Sequence, residues 1–264
     1  MNLTNQVKDS LKYPFFNISK WMILSVLVII GNLLTVVSIL IWDDALFEKI
    51  MASDLVLIFT AIFFIITIYI LGYAIGIVKC SIDLEGHMPS FNVKNDFING
   101  LKHAVILLVY LIIPFIFYIA MSFAMGVNMY GFDFISFSFT ETVILTANES
   151  IMFETIPSLN VWIVLIISFV VFLIFGLFEV SSLCRFAKTG SLKESFNFKD
   201  VWVDVKKSSV KLALGICVIC VTTLILGFLL SFWPILPFGI LIFYIGYSFL
   251  IIFKYRLLGL IYME

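Results

Sequence analysis

Residues 55–78 contain no Asp, Glu, Lys, Arg or His. An apolar stretch of more than about 20 residues is long enough, as an α-helix, to cross a hydrocarbon core of roughly 30 Å. Lipid offers the backbone no hydrogen-bond partners, so such a stretch satisfies its own amides by becoming a helix. Five further runs of this kind occur at about 21–42, 104–125, 159–178, 212–232 and 238–253. The whole chain is 62% hydrophobic and 12% charged, with a mean hydropathy of +1.16, a balance foreign to water-soluble domains. The expected fold is all-α, a polytopic membrane protein with six transmembrane helices in a single integral membrane domain, residues 1–264. The first run begins only at Trp21, is too long for a signal core and has no small-residue cleavage site, so it reads as the first anchor. A net charge of −1 gives no electrostatic reason for a nucleic-acid partner.

Two passages resemble each other at a fixed offset. Gly72, Cys80 and Gly86 match Gly176, Cys184 and Gly190. After one inserted residue, Ser90-Phe91-Asn92-Val93-Lys94 matches Ser195-Phe196-Asn197-Phe198-Lys199. This predicts an internal duplication over about 55–125 and 159–232. With six spans, fifteen of the sixteen Lys and Arg residues fall on the side of both termini and only Lys49 on the other. The bias of basic residues toward the cytoplasm then puts both termini inside the cell membrane. Both copies run in the same direction, a parallel repeat, flanked by the first and last spans.

Residues 1–20 form an interfacial segment. Leu3, Val7 and Leu11 share a helical face, Lys8 and Lys12 lie between them, and Pro14 ends the pattern, as in a helix lying on the membrane surface. Trp21 and Trp42 stand at the ends of the first span as interfacial anchors. Asn32 is expected to bond a neighbouring helix. Gly72 and Gly76 make a step where another backbone can approach. Asn92 is suited to cap a short amphipathic helix with Val93, Phe97, Ile98 and Leu101 on one face, and Lys94, Asp96 and Lys102 toward water. In the second copy, Phe198, Val201, Trp202 and Val205 repeat that pattern, with Asn197 and Asp200 in the first turn. Pro114 is expected to kink the third span. Residues 126–158 carry Asp133, Glu141, Glu149 and Glu154 without Lys or Arg. This acidic loop holds an aromatic stretch that reads equally as strand or interfacial segment, and a glycosylation tripeptide at Asn148. Trp233 to Pro237 reads as a tight turn, and the chain closes with Lys254, Arg256 and a short apolar tail.

The proposed spans hold no ionisable residue, which disfavours transport driven by an ion gradient. Glu179, at the inner end of the fourth span, is expected to form an interfacial ion pair with Arg185 or a nearby lysine. Cys217 and Cys220 are i, i+3 on an apolar helix and read as small packing residues rather than a metal or redox pair. His87 and His103 lack the partners of a metal site, and His103 reads as a surface histidine at the membrane edge. The four cysteines suggest no disulfide framework, and no cofactor, metal or catalytic motif is evident.

The central stretch resembles a family of uncharacterised, mainly archaeal membrane proteins, the domain of unknown function 4013. The residues that carry the resemblance are Gly72-Tyr73, Lys79, Gly86, Met88-Pro89, Phe91, Asp96 and Gly100-Leu101-Lys102, followed by Tyr110 and Pro114. Gly176, Gly190, Phe196 and Asp200 are their second-copy counterparts. Tyr13-Pro14-Phe15 and the segment from Phe243-Tyr244 to Gly259 extend the resemblance over nearly the whole chain. Lys79 stands where the family pattern has arginine, and Met88 where it has leucine. The resemblance implies an architecture and an archaeal origin and brings no activity. A more distant similarity is to the membrane portion of some glycerophosphodiester phosphodiesterases, which is not their catalytic part.

Two readings stand nearly level. One is a non-enzymatic protein that organises the envelope or anchors a partner or a second copy through its inner loops. The other is a facilitator or carrier for a lipid or other lipophilic molecule, with no buried ionisable coupling residue. A lipid enzyme ranks below both. Membrane lipids are the expected surroundings in every case.

Overall fold

The computed structural model describes residues 2–32, 55–125, 159–230 and 239–263. Every element among them is helical: α1 (Leu3–Phe16), α2 (Ile18–Gly31), α3 (Leu55–Ile82), α4 (Val93–Ala124), α5 (Leu159–Thr189), α6 (Leu192–Ser195), α7 (Phe198–Leu230) and α8 (Gly239–Met263). Five of them, α3, α4, α5, α7 and α8, are long and apolar enough to cross a membrane. The pair α1 and α2 qualifies as a sixth only if taken together, and it bends by 83°. The chain is thus a multi-pass membrane protein. The outer part of the first span, the acidic segment 43–54, the loop 126–158 with Asn148, and the turn 233–237 lie outside the described residues.

The short surface helices expected before the third and fifth spans are not separate elements. They are the opening turns of α4 and α7, which continue unbroken for 32 and 33 residues. At 1.5 Å per residue each is about 48 Å long and overshoots the hydrocarbon by several turns. The loop end of the bundle, where α3 and α5 stop and α4 and α7 start, is built from these overhangs. Pro14 lies inside α1 and does not end the helix before Phe16. Pro114 is buried within the continuous α4.

The last helix is not a flank. In α3, α4, α5 and α7 only 11–17% of the apolar window is buried, whereas in α8 the figure is 56%. α8 packs on α1, α2, α3, α5 and α7. Its final turns, expected to leave the membrane as a tail, are sealed in the core at Leu257, Leu258, Leu260 and Ile261. Ser25 and Ser248 hydrogen-bond at 2.6 Å between α2 and α8, and the Trp21 indole donates to Ser248 Oγ at 3.0 Å. Such small polar contacts hold helices together where lipid supplies no hydrophobic drive. Asn32, expected to reach a neighbour, instead donates to Val28 O of its own helix at 2.9 Å. Gln6 of α1 donates to Leu260 O at 3.0 Å, so α1 docks beneath α8 through a polar face, with Leu3 and Val7 against the core and Leu11 exposed.

Candidate functional site

The loop end is organised by a backbone crossing. A Cβ on Gly72 would lie 1.6 Å from Asp96 O, and one on Gly100 would lie 1.8 Å from Ile68 O. Only hydrogen fits at either point, so α3 and α4 touch main chain to main chain. Gly76, the other member of the predicted step, faces the Pro89 ring.

This crossing fixes the first loop. Tyr73 is buried, stacks on Phe91 at 4.2 Å and donates to Pro89 O at 3.2 Å. The loop is then held from outside the hairpin. Tyr13 donates to His87 O at 2.7 Å, Lys20 donates to Met88 O, and Met88 N–H donates to Asn17 Oδ1 at 3.0 Å. From α8, buried Arg256 donates to Glu85 O at 2.7 Å and to Asp9 Oδ2 at 3.0 Å, with its guanidinium 4.2 Å over the Tyr13 ring. The predicted motif residues Tyr73, Pro89 and Phe91 are therefore brought together. Lys79 is itself exposed in the otherwise buried last turns of α3, and Gly86 has open space beside it.

Asn92 caps α4 as expected, accepting from Asn95 N–H at 3.1 Å. Asp96 returns the contact by accepting Asn92 N–H at 2.8 Å, a reciprocal cap. Asp96 is buried, not water-facing, and the Tyr69 side chain reaches its carboxylate. Of the apolar residues expected on one face of this segment, Val93, Ile98 and Leu101 are exposed and Phe97 is half-buried. α4 turns Asp96, Gly100, His103, Ile106, Tyr110 and Pro114 inward.

α3 ends in a Schellman turn: Leu84 N–H donates to Ser81 O and Glu85 N–H to Cys80 O. The left-handed residue is Leu84, at φ 58°. At the end of α5 it is Gly190, at φ 71°, whose N–H donates to Phe186 O at 2.7 Å. The matched pair Gly86 and Gly190 thus have different roles.

In the second hairpin, the expected pair of Glu179 with Arg185 gives way to another arrangement. Arg185 Nη1 and Nη2 each make a 2.8 Å bond, to Asp204 and Asp200 of α7. Tyr262 of α8 donates to Asp204 at 2.7 Å and Asn197 to Asp200 at 2.9 Å. Asp200 and Asp204 are one helical turn apart and present both carboxylates to one guanidinium. Glu179 lies six positions before Arg185 on the same helix, about 120° around it, and is buried. Gly176 is buried in α5, and Phe196 stacks toward Tyr110 at 6.3 Å.

The bundle interior is not free of ionisable groups, as the span boundaries suggested. His103, Glu179, Lys254, Arg256 and Asp96 are all buried. His103 is no surface residue. Its Nδ1 lies 3.2 Å from Leu71 O, so that nitrogen carries the proton. Its ring meets Tyr255 edge-on at 5.9 Å, and Lys254 Nζ lies 5.0 Å over the same Tyr255. Cys80 and Cys184 are buried, whereas Cys217 and Cys220 are exposed on α7 and do not pack inside. His87 and Glu85 form an exposed pair at 3.5 Å. Among the described residues no cluster of His, Cys, Asp and Glu is arranged to hold a metal ion.

Two concavities stand out. One, of about 200 Å³, lies between the loop ends of α3, α4 and α5 and is lined by Lys79, Asn99 and Lys188 among others. The other, of about 270 Å³, is an open apolar groove between Leu3 of α1 and Leu214, Cys217, Val218 and Val221 of α7. A family model described as "Protein of unknown function (DUF4013)" matches residues 55–236. That range takes in α3 to α7 and omits α8. No curated protein and no solved structure matches the chain.

Proposed function

This chain belongs to the DUF4013 family of proteins of unknown function, and on that premise we propose that it is a non-enzymatic, multi-pass protein that presents a rigid inner platform to a partner. The clamped first loop carries this reading. Five side chains, Tyr13, Lys20, Tyr73 and Arg256 from four helices and Asn17 from the break between α1 and α2, hold one short loop. Cross-bracing from elements distant in sequence fixes a surface, which is what a docking platform needs. On the same reading the loop end lies in the cytoplasm, as the distribution of Lys and Arg favours. The two hairpins descend from one unit; Gly72 and Gly176, both buried, and Phe91 and Phe196, each stacked on a tyrosine, support that descent. The test is photo-crosslinking of the full chain in its own membrane, with the probe placed at position 193 or 206 on the loop end. A discrete protein adduct, including one with a second copy, supports the platform; adducts with lipid alone refute it.

The apolar groove between α1 and α7 favours the second reading, a carrier for a lipophilic molecule. Native mass spectrometry of gently extracted protein separates the two. A small molecule retained in place of a polypeptide supports the carrier.

A further inference from the structure

The concavity at the loop ends of α3 and α5 has a composition that the platform reading does not use. Lys79 comes from the last turn of α3, Lys188 from the last turn of α5, and Asn99 from the second turn of α4. Its apolar wall includes Phe186, and Lys102 Nζ lies 5.7 Å over that ring. Two ammonium-bearing side chains thus line one small space, and a third lies against its apolar wall. No carboxylate lines it, and among the described residues none of the three lysines is ion-paired. The nearest acid on α4, Asp96, is already engaged with Asn92 N–H and Tyr69.

Gly76 and Gly190 both line the space, and Gly190 turns the chain at positive φ with nothing within 4 Å of where its Cβ would be. About 200 Å³ is room for roughly seven waters at ~30 Å³ each, enough for a phosphate with its ester oxygens. The place matters too. Both lysines sit where apolar helices leave the membrane, the depth of lipid phosphates, and basic pockets between such helices suit anionic headgroups. Lysine contributes to a phosphate site as a point charge on a flexible stem, so exposed Lys79 and Lys188 can close over it.

We propose that this cleft holds the phosphate of an anionic membrane phospholipid, with Lys79 and Lys188 as the two principal cations, Asn99 as a neutral donor and Lys102 closing the side over Phe186. The assignment does not depend on the platform reading.

The test is native mass spectrometry of the full chain in detergent, titrated with phosphatidylglycerol or phosphatidylcholine, with inorganic phosphate as competitor. The parent is expected to retain one phosphatidylglycerol at concentrations where phosphatidylcholine is lost. Lys79→Gln with Lys188→Gln should weaken retention by about tenfold or more, while the Lys79→Arg, Lys188→Arg pair preserves it. Lys206→Gln with Lys207→Gln removes the same charge from α7 and should leave retention unchanged. Matching melting curves for the Gln and Arg pairs exclude misfolding as the cause. Equal losses in both Gln pairs mean a diffuse basic surface and overturn the site. Equal retention of the two lipids, or replacement of the lipid by inorganic phosphate, overturns the lipid assignment.

Discussion

Gly72→Ala is the sharpest perturbation of this bundle. The new methyl carbon would start 1.6 Å from Asp96 O and 2.7 Å from Gly100 N. Non-bonded carbon does not approach backbone closer than about 3.0 Å, so α3 and α4 must separate by roughly 1.4 Å locally. Neither obstacle is the end of a flexible side chain, so rotamer changes cannot relieve it. A gap of 0.5–1 Å already forfeits about a quarter to a half of the dispersion well between facing atoms. The same shift would drag Asp96 from its bond to Asn92 N–H. The expected cost is about 3 kcal/mol, the upper end of overpacking, or roughly 6–12 °C in Tm for a chain of this size. The assay is thermal unfolding in mild detergent, followed by tryptophan fluorescence and by loss of monodisperse elution. Gly227→Ala is the control. It lies inside α7 with nothing near its would-be Cβ, so relief of the glycine penalty should raise stability by up to about 1 kcal/mol. Gly100→Ala should resemble Gly72→Ala, and the double variant should cost less than the sum, because one separation accommodates both methyls. A Gly72→Ala protein that melts with the parent would refute the backbone contact.

Other outcomes follow from the same geometry. Leu84→Gly should stabilise the chain by about 0.5–1 kcal/mol, because an exposed leucine now occupies the left-handed position of the α3 turn; chemical denaturation in mixed micelles would read it. Arg256→Met should cost about 2 kcal/mol, since it leaves Glu85 O and Asp9 without their donor; protease sensitivity of the first loop should rise with it. Asp204→Asn keeps the shape but removes the charge shared by Arg185 and Tyr262. It should cost about 1–2 kcal/mol, and Asp200→Asn less, as Asp200 is the more exposed partner. A small maleimide applied in detergent should label Cys217 and Cys220 well before Cys80 and Cys184, as read by peptide mass mapping.

What was legible in the sequence was what lipid dictates. Uncharged length gives helices. Asn92 as a cap also follows from local chemistry alone. One group of errors shares a cause. The segment after Asn92 reads as a separate surface helix with its charged residues toward water, but it is the start of a long span whose greasy face is turned out of the bundle. Hence Val93, Ile98 and Leu101 are exposed while Asp96, Gly100 and His103 are inside. The place of α8 was missed in a related way. Its Lys254 and Arg256 looked like the end of a span, yet they are buried because carbonyls, a carboxylate and aromatic rings meet them there. The partners of Arg185 were out of reach for another reason: nothing local reveals that Asp200, Asp204 and Tyr262 converge across three helices.

The central position of α8 has a consequence for biosynthesis. A ribosome delivers this helix after every helix it touches. Until then Asp9 and Glu85 O lack the Arg256 donor, and Asp204, already met by Arg185, lacks the Tyr262 hydroxyl. The earlier helices can already pair, α3 on α4 at Gly72 and Gly100 and α5 on α7 through Arg185, but the helix that packs against both hairpins is still missing. The bonds from Arg256 and Tyr262 can form only once the last turns of α8 have emerged, so the clamp on the first loop is completed at the end of synthesis of this helix.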